Sequence, residues 1–298
     1  MTTAVERTTT RFPDWLKRPL SVTSQWQATK EIVKSLRLET ICESARCPNL
    51  GECWSHGNVS FMILGDICTR RCGFCAVTTG RPLAVDPEEP GRLAEAIARL
   101  SLQYVVVTAP ARDDLPDEGA GQFAAVIRAI RARTPSVGIE VLTPDFHGRS
   151  ELIAQVVAAR PDVFSHNLET VRRLSPAIRP QAQYERSLAV LAAARQLSGG
   201  AVRTKSGFMV GLGEQPDEIR ALLQDLRAAG CEFLTIGQYL QPTTQQHLVK
   251  EFVPPARFAE YRRWGMALGF DHVASGPYVR SSYNAFEALH HPHRTVNN

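Results

Sequence analysis

The chain has 298 residues, 44% of them hydrophobic and 21% charged, with a formal net charge of +4. That length and balance belong to a soluble globular protein with a substantial core, built as one large α/β domain or two smaller ones. They exclude a membrane helix, because no apolar run approaches the roughly 18 residues needed, and there is no long basic block or basic–aromatic interleaving of the kind that binds nucleic acid. The positive charge is nearly all arginine, with lysine only at 17, 30, 34, 205 and 250. Arginine's fork suits an acidic partner, but a bias spread over a solvated surface accounts for it more simply.

In chain order, the first twenty residues, MTTAVERTTTRFPDWLKRPL, carry Glu6 and Asp14 and no apolar segment, so neither a secretory signal nor a transit peptide is expected. A cytoplasmic location follows, where cysteines stay reduced and metal ligation is favoured over disulfides. From about residue 59 short apolar runs alternate with stretches of helical spacing. Strands are expected at 59–64, 104–108, 138–142, 163–167, 202–210 and 232–237. The helical stripes are Leu93, Ile97 and Leu100; then Phe123, Val126, Ile127 and Ile130; then Ile219, Leu222, Leu223 and Leu226. A last helix is expected over 255–268 and a further strand near 272–274. Strand–helix alternation implies a parallel sheet with helical crossovers. Six such units and no dinucleotide or P-loop fingerprint favour an α/β fold of partial (βα)6 TIM-type barrel. The expected division is residues 1–58 as an N-terminal extension, 59–275 as the barrel and 276–298 as a C-terminal segment.

Six of the seven cysteines form two groups of three, Cys42, Cys47, Cys53 and Cys68, Cys72, Cys75. Structural zinc sites are closed by four ligands, and iron–sulfur clusters are normally held by four cysteines. A triplet therefore points to a centre with one position left open for chemistry. Residues 68–75, CTRRCGFC, directly follow the first strand and so fall at the barrel mouth, where βα barrels place their active sites. A zinc loop is the alternative reading of this segment alone.

The C-x3-C-x2-C spacing, with Phe74 before its last cysteine, resembles the signature of the radical S-adenosylmethionine (SAM) superfamily. The first triplet, CESARCPNLGEC, together with VLTPDFHG, VFSHNLETVRRLSPAIRP, TKSGFMVGLGE, LTIGQYLQPT and GFDHVASGPYVRSSY, resembles the lipoyl synthase family over roughly residues 40–285. That resemblance implies two [4Fe–4S] clusters. One, on Cys68, Cys72 and Cys75, cleaves SAM reductively to a 5′-deoxyadenosyl radical. The other, on Cys42, Cys47 and Cys53 with Ser282 of the RSSY segment as fourth ligand, is consumed as sulfur donor. A hard oxygen ligand suits a cluster meant to come apart. SAM contacts are implied at Phe74, Thr108, Asn167, Glu169, Gly211 and Gln238. The implied reaction places sulfur at carbons 6 and 8 of an octanoyl chain on a lysine of a lipoyl domain or the glycine-cleavage H protein, with an electron donor such as ferredoxin or flavodoxin. A monomer is expected.

The sequence departs from the family's pattern at TAPARDDLPDEG, where a stretch like SVDRDDLPDGG is usual, which leaves open what Ala109–Ala111 contributes; FVPP in place of YVTP is inconsequential. A biotin-synthase-like or methylthio-transferring enzyme would share the second triplet but not the first beside RSSY. A two-cluster electron carrier would use four thiolates per cluster. Cys231 reads as a small buried hydrophobe. His147, His166, His247 and His272 show no metal spacing, although His166 borders Asn167 at a strand end. His290, His291 and His293 suit adventitious metal binding.

Overall fold

The computed structural model describes residues 12–17, 23–283 and 285–290. The remainder of the N-terminal extension, with His291 and His293, lies outside the described residues.

One eight-stranded sheet organises the chain. Its strands are Glu39–Thr40 (β1), Ser60–Met62 (β2), Tyr104–Thr108 (β3), Gly138–Leu142 (β4), Val163–Ser165 (β5), Arg203–Val210 (β6), Phe233–Gln238 (β7) and His272–Gly276 (β8). They lie side by side in chain order, β1 antiparallel to β2 and every later pair parallel. Because β1 and β8 are edges that do not pair, the barrel is partial, as expected, with β8 as a seventh parallel strand. β1 was not foreseen, because two residues carry no periodicity to read. β5 ends at Ser165, two residues early. Pairing continues past it as His166 N–H donates to Lys205 O at 3.0 Å.

Side-chain alternation assigns the two faces of the sheet. Val105 and Val107 on β3, Ile139 and Val141 on β4, and Phe164 on β5 point outward. There they pack against Leu93 and Ile97 of the helix Glu89–Arg99 and against Phe123, Val126, Ile127 and Ile130 of the helix Ala120–Arg133. A second outer core joins Leu234 and Ile236 of β7 to Ile219, Leu222, Leu223 and Leu226 of the helix Pro216–Ala228. Cys231 lies fully buried in that core. Strands covered on both sides must be apolar on most positions, which is why they read as runs rather than as alternating patterns. Val33, Leu38 and Trp54 of the N-terminal segment join the first core, so this segment is packed onto the barrel.

The inner face mixes apolar positions such as Val106 and Val163 with buried polar ones. Tyr104 O–H and Lys205 Nζ both donate to Glu140 Oε2, at 2.9 and 2.8 Å, in a pair whose side chains are almost wholly buried. Burial and Glu140 push the Tyr104 hydroxyl well above its ordinary pKa. Below this pair the helix Ala285–His290 closes the N-terminal end of the barrel. Phe286 meets the Tyr104 ring edge-on, and Leu289 packs on Val163 and Phe233. Among the described residues no helix is long and apolar enough to cross a membrane.

Candidate active site

A cavity of about 540 Å³ opens at the C-terminal ends of the strands. It is lined by Met62, Thr108, Leu142 and Gln238, which end β2, β3, β4 and β7, and by Asn167 just beyond β5. Cys68, Cys72 and Cys75 line it, and so do Cys42, Cys47 and Ser282. Groups far apart in sequence thus face one space.

The second triplet sits on a loop fixed from several sides. A short parallel pair, Ile67–Cys68 with Thr78–Thr79, ties its ends. Gly73 N–H donates to Ile178 O at 2.8 Å, Arg71 N–H to Gln181 Oε1 at 2.7 Å, and Gln246 Nε2 to Cys75 O at 3.0 Å. Backbone N–H groups point at the sulfurs: Arg70 and Ala111 to Cys68 Sγ at 3.4 and 3.3 Å, and Val77 to Cys75 Sγ at 3.4 Å. Ala111 therefore contributes through its backbone, and the departure from the family's side chains there leaves this contact intact. Burial pushes the thiol of Cys72 up to about 11, against the pull of Arg179, and that of Cys75 up to about 12. Bare, these thiols stay neutral at pH 7, and a metal centre would displace their protons.

Arg70 locks the loop to two other strand ends. Its Nε and Nη2 bind Asp113 at 2.7–3.1 Å, and Nη1 binds Asp145 at 2.7 Å. Burial alone would raise the Asp145 carboxyl, but the charge and hydrogen bond of Arg70, with His166 and the His147 N–H, together outweigh it and hold the pKa down to about 2. Beside Asp113, His147 Nδ1 meets Glu118 Oε1 at 2.9 Å. The ligand atoms of Asp113, Glu118 and His147 gather within 4.8 Å of one another, so His147 keeps company with carboxylates rather than histidines. Arg70 and Arg149 already answer those charges. Among the described residues neither cysteine triplet gathers as tightly. A single zinc ion with bonds near 2.3 Å would draw its sulfurs to about 3.8 Å. Three soft donors set wider than that suit a cluster better than one ion.

The other expected contacts divide. Phe74 packs on Ile178 and Tyr239 at the cavity edge. Thr108 donates its hydroxyl to Leu142 O at 2.9 Å. Asn167 and Glu169 lie together, Asn167 Nδ2 donating to Glu169 Oε1 at 3.0 Å. Glu169 is left-handed, with φ of 66°, a strained conformation for a non-glycine residue that costs about 1–3 kcal/mol and collects at functional sites. Burial raises its carboxyl pKa, and Arg179 opposes that. Gly211 is not brought into the lining. Its φ is 104°, and a Cβ there would meet Gln238 Nε2 at 2.2 Å and Glu251 O at 2.5 Å. The Gln238 amide is occupied by backbone, donating to Tyr239 O and Glu251 O and accepting from Val253 N–H. His166 lines the cavity but is committed on both nitrogens, to Thr143 O and Ser187 Oγ, and burial lowers its pKa to about 4.

Sequence reasoning missed Arg179. It is buried, donates to Leu168 O at 2.7 Å, lines the cavity, and places its charge beside Glu169 and Cys72. The signal was a basic residue in the otherwise apolar stretch SPAIRP, with no acidic neighbour there.

The first triplet is built on two short helices, Ile41–Ser44 and Leu50–Ser55, and the turn between them, where Cys47 N–H donates to Cys42 O at 2.9 Å. Burial pushes the Cys42 thiol up to about 11. Asn49 Nδ2 binds Tyr278 O at 2.7 Å and Tyr283 O–H binds Glu52 Oε1 at 3.2 Å, so the C-terminal arm is fastened across these helices. Gly237 lets the arm pass, because a Cβ there would meet Val279 O at 2.1 Å. A second cavity of about 460 Å³ is lined by Cys42, Cys47, Cys53 and Ser282 together. Arg280 faces Cys47, and burial lowers its pKa.

The family model "Radical SAM superfamily" matches residues 62–226. Two solved structures share the fold at 12% identity and a TM-score of 0.57. Methylornithine synthase covers 85% of this chain and 72% of its own. The FeFe-hydrogenase maturase HydG from Carboxydothermus hydrogenoformans covers 83% and 65%. Fold and family model together define a radical SAM enzyme. Curated relatives narrow the assignment: a lipoyl synthase of Thermus thermophilus is 55% identical over 92% of this chain and 85% of its own length. One from Bacteroides fragilis is 51% identical over 92% and 94%. The chain belongs to the lipoyl synthase family and is a sulfurtransferase.

Proposed function

We propose that this chain inserts two sulfur atoms, at carbons 6 and 8, into an octanoyl chain held in amide linkage on a lysine of a carrier protein. The carrier is an octanoylated lipoyl domain or the glycine-cleavage H protein, and the reductant is a ferredoxin or flavodoxin. The observation that carries the reading is that Cys68, Cys72 and Cys75 line one cavity at the barrel mouth together with Cys42, Cys47 and Ser282. A [4Fe–4S] cluster on Cys68, Cys72 and Cys75 would supply one electron to each of two SAM molecules, and each 5′-deoxyadenosyl radical takes one hydrogen atom. An iron–sulfur cluster on Cys42, Cys47, Cys53 and Ser282 is the co-substrate that gives up the sulfur. Unactivated C–H bonds offer no acid–base handle, which is why the reaction needs a radical.

The chain's own residues bind, orient and shield. The amide N–H groups of Arg70, Val77 and Ala111 favour ligating thiolates over thiols. Asn167, Glu169 and Arg179 present paired polar groups to SAM, and Phe74 and Met209 give the cavity apolar wall. Enclosure between strand ends and the C-terminal arm keeps water from the radical. In this reading residues 1–58 and 276–298 together hold the sulfur donor against the 59–275 barrel.

Anaerobic turnover of an octanoyl-lysine peptide with SAM and dithionite, followed by mass spectrometry, tests it. The expected result is a gain of two sulfurs with two 5′-deoxyadenosines released per product. Absence of 5′-deoxyadenosine would indicate an electron carrier, and its release without sulfur insertion would refute the donor role.

A further inference from the structure

The Asn167 carboxamide joins the loop after β5 to the C-terminal arm. Its Nδ2 donates to Glu169 Oε1 at 3.0 Å and to Ser281 Oγ at 2.6 Å. Its Oδ1 is buried without a hydrogen-bond partner, in a residue only 8% exposed that lines the cavity. The carboxamide packs against the backbone of β6: a Cβ on Gly207 would run into Thr235 Oγ1 and come within 3.1 Å of Oδ1, so a side chain there would crowd it. An unpaired buried acceptor costs roughly 1–3 kcal/mol, which an occupant of the cavity relieves by offering a donor such as an ammonium or a hydroxyl.

Ser281 is joined by one peptide bond to Ser282, and the arm that carries both has little slack. Tyr283 N–H turns back to Arg280 O at 3.0 Å, Tyr278 O is held by Asn49, and Val279 O lies against Gly237. A change in the hydrogen bond at Ser281 therefore moves Ser282 rather than being absorbed elsewhere.

Building on the functional reading above, we propose that Ser281 is a positioning residue: through Asn167 it ties the placement of Ser282 against the N-terminal thiols to occupancy of the cavity by SAM. When a donor completes Oδ1, the carboxamide is fixed, both Nδ2 bonds strengthen cooperatively, and Ser282 is held in register. Linkage makes the effect mutual, so a correctly held Ser282 must in turn favour SAM binding.

The test uses protein loaded with iron and sulfide, with SAM added and reductant withheld so that nothing turns over. In the parent, SAM should alter the Mössbauer doublet of the iron ligated by Ser282. That response should vanish in Ser281→Ala and return in Ser281→Thr, which keeps the hydroxyl. SAM affinity measured by equilibrium dialysis should fall roughly fivefold in Ser281→Ala, the worth of one hydrogen bond. A double-mutant cycle separates coupling from damage. Ser282→Ala should weaken SAM binding in the parent background and add nothing in the Ser281→Ala background. An undiminished Mössbauer response in Ser281→Ala, or additive affinities in the cycle, would overturn the proposal. Neither result touches the peptide assay above, so sulfur insertion can hold while this coupling fails.

Discussion

Replacing Arg70 by methionine probes how the cysteine loop is held. The Arg70 side chain is 6% exposed and the Asp145 side chain 1%, while Asp113 is a quarter exposed. At 2.7 Å each contact is worth about 6 kcal/mol of gross attraction at an effective dielectric constant near 20, most of it cancelled by desolvation. Removing one partner of a fully buried pair costs about 3–5 kcal/mol. Asp145 retains Arg186 at 3.2 Å and Asp113 retains Thr69, so the lower part of that range applies. The Asp145 pKa is of the same order: held down to about 2 by Arg70 together with its other partners and against burial, it lies nearly two pH units below an ordinary aspartate, a net effect of about 2.5 kcal/mol. That stabilisation is complete above the unfolded pKa near 4 and is lost as pH falls through 2. Anaerobic urea titrations followed by tryptophan fluorescence should show Arg70→Met less stable by about 2–3 kcal/mol, by the same amount at every pH from 5 to 8. SAM cleavage should fall with it. A variant as stable as the parent, or a difference that disappears between pH 8 and 5, would refute the reasoning.

Other consequences are open to direct measurement. Ser282→Cys should hold its iron more firmly and lower the sulfur-bearing product per 5′-deoxyadenosine, and an unchanged ratio would count against an oxygen ligand built for release. Gly237→Ala drives a Cβ to 2.1 Å from Val279 O. It should cost about 3 kcal/mol in urea unfolding and remove product formation, because the arm carrying Ser282 must shift. His166, buried with a pKa of about 4, stays neutral when folded but charges near 6.5 once unfolded. Parent stability should therefore drop by about 2 kcal/mol from this residue between pH 7 and 5, and His166→Gln should lack that drop.

Much of the scaffold could be read from sequence because parallel strands covered on both faces leave apolar runs between helical stripes. The cysteine spacings likewise singled out two groups of thiols, which the fold sets around cavities. What escaped was set by long-range packing. Arg179 reaches the cavity from a turn with no periodicity of its own, and Asp113 and Asp145 meet Arg70 only because neighbouring strand ends converge. Gly211 shows a packing role its motif does not announce: its missing side chain makes room for Gln238. Ser282 carried no signal within RSSY itself. The arm that passes over Gly237 sets it on one cavity with Cys42, Cys47 and Cys53.

Single turnover of Cys47→Ala against the parent addresses the division of labour most directly. Each protein is given octanoyl-lysine peptide, SAM and dithionite without oxygen, and 5′-deoxyadenosine and peptide mass are followed together. The variant should still release 5′-deoxyadenosine, slowly, while its peptide gains no sulfur. Dithiolane formation by the variant at the parent's rate would show that the sulfur comes from elsewhere.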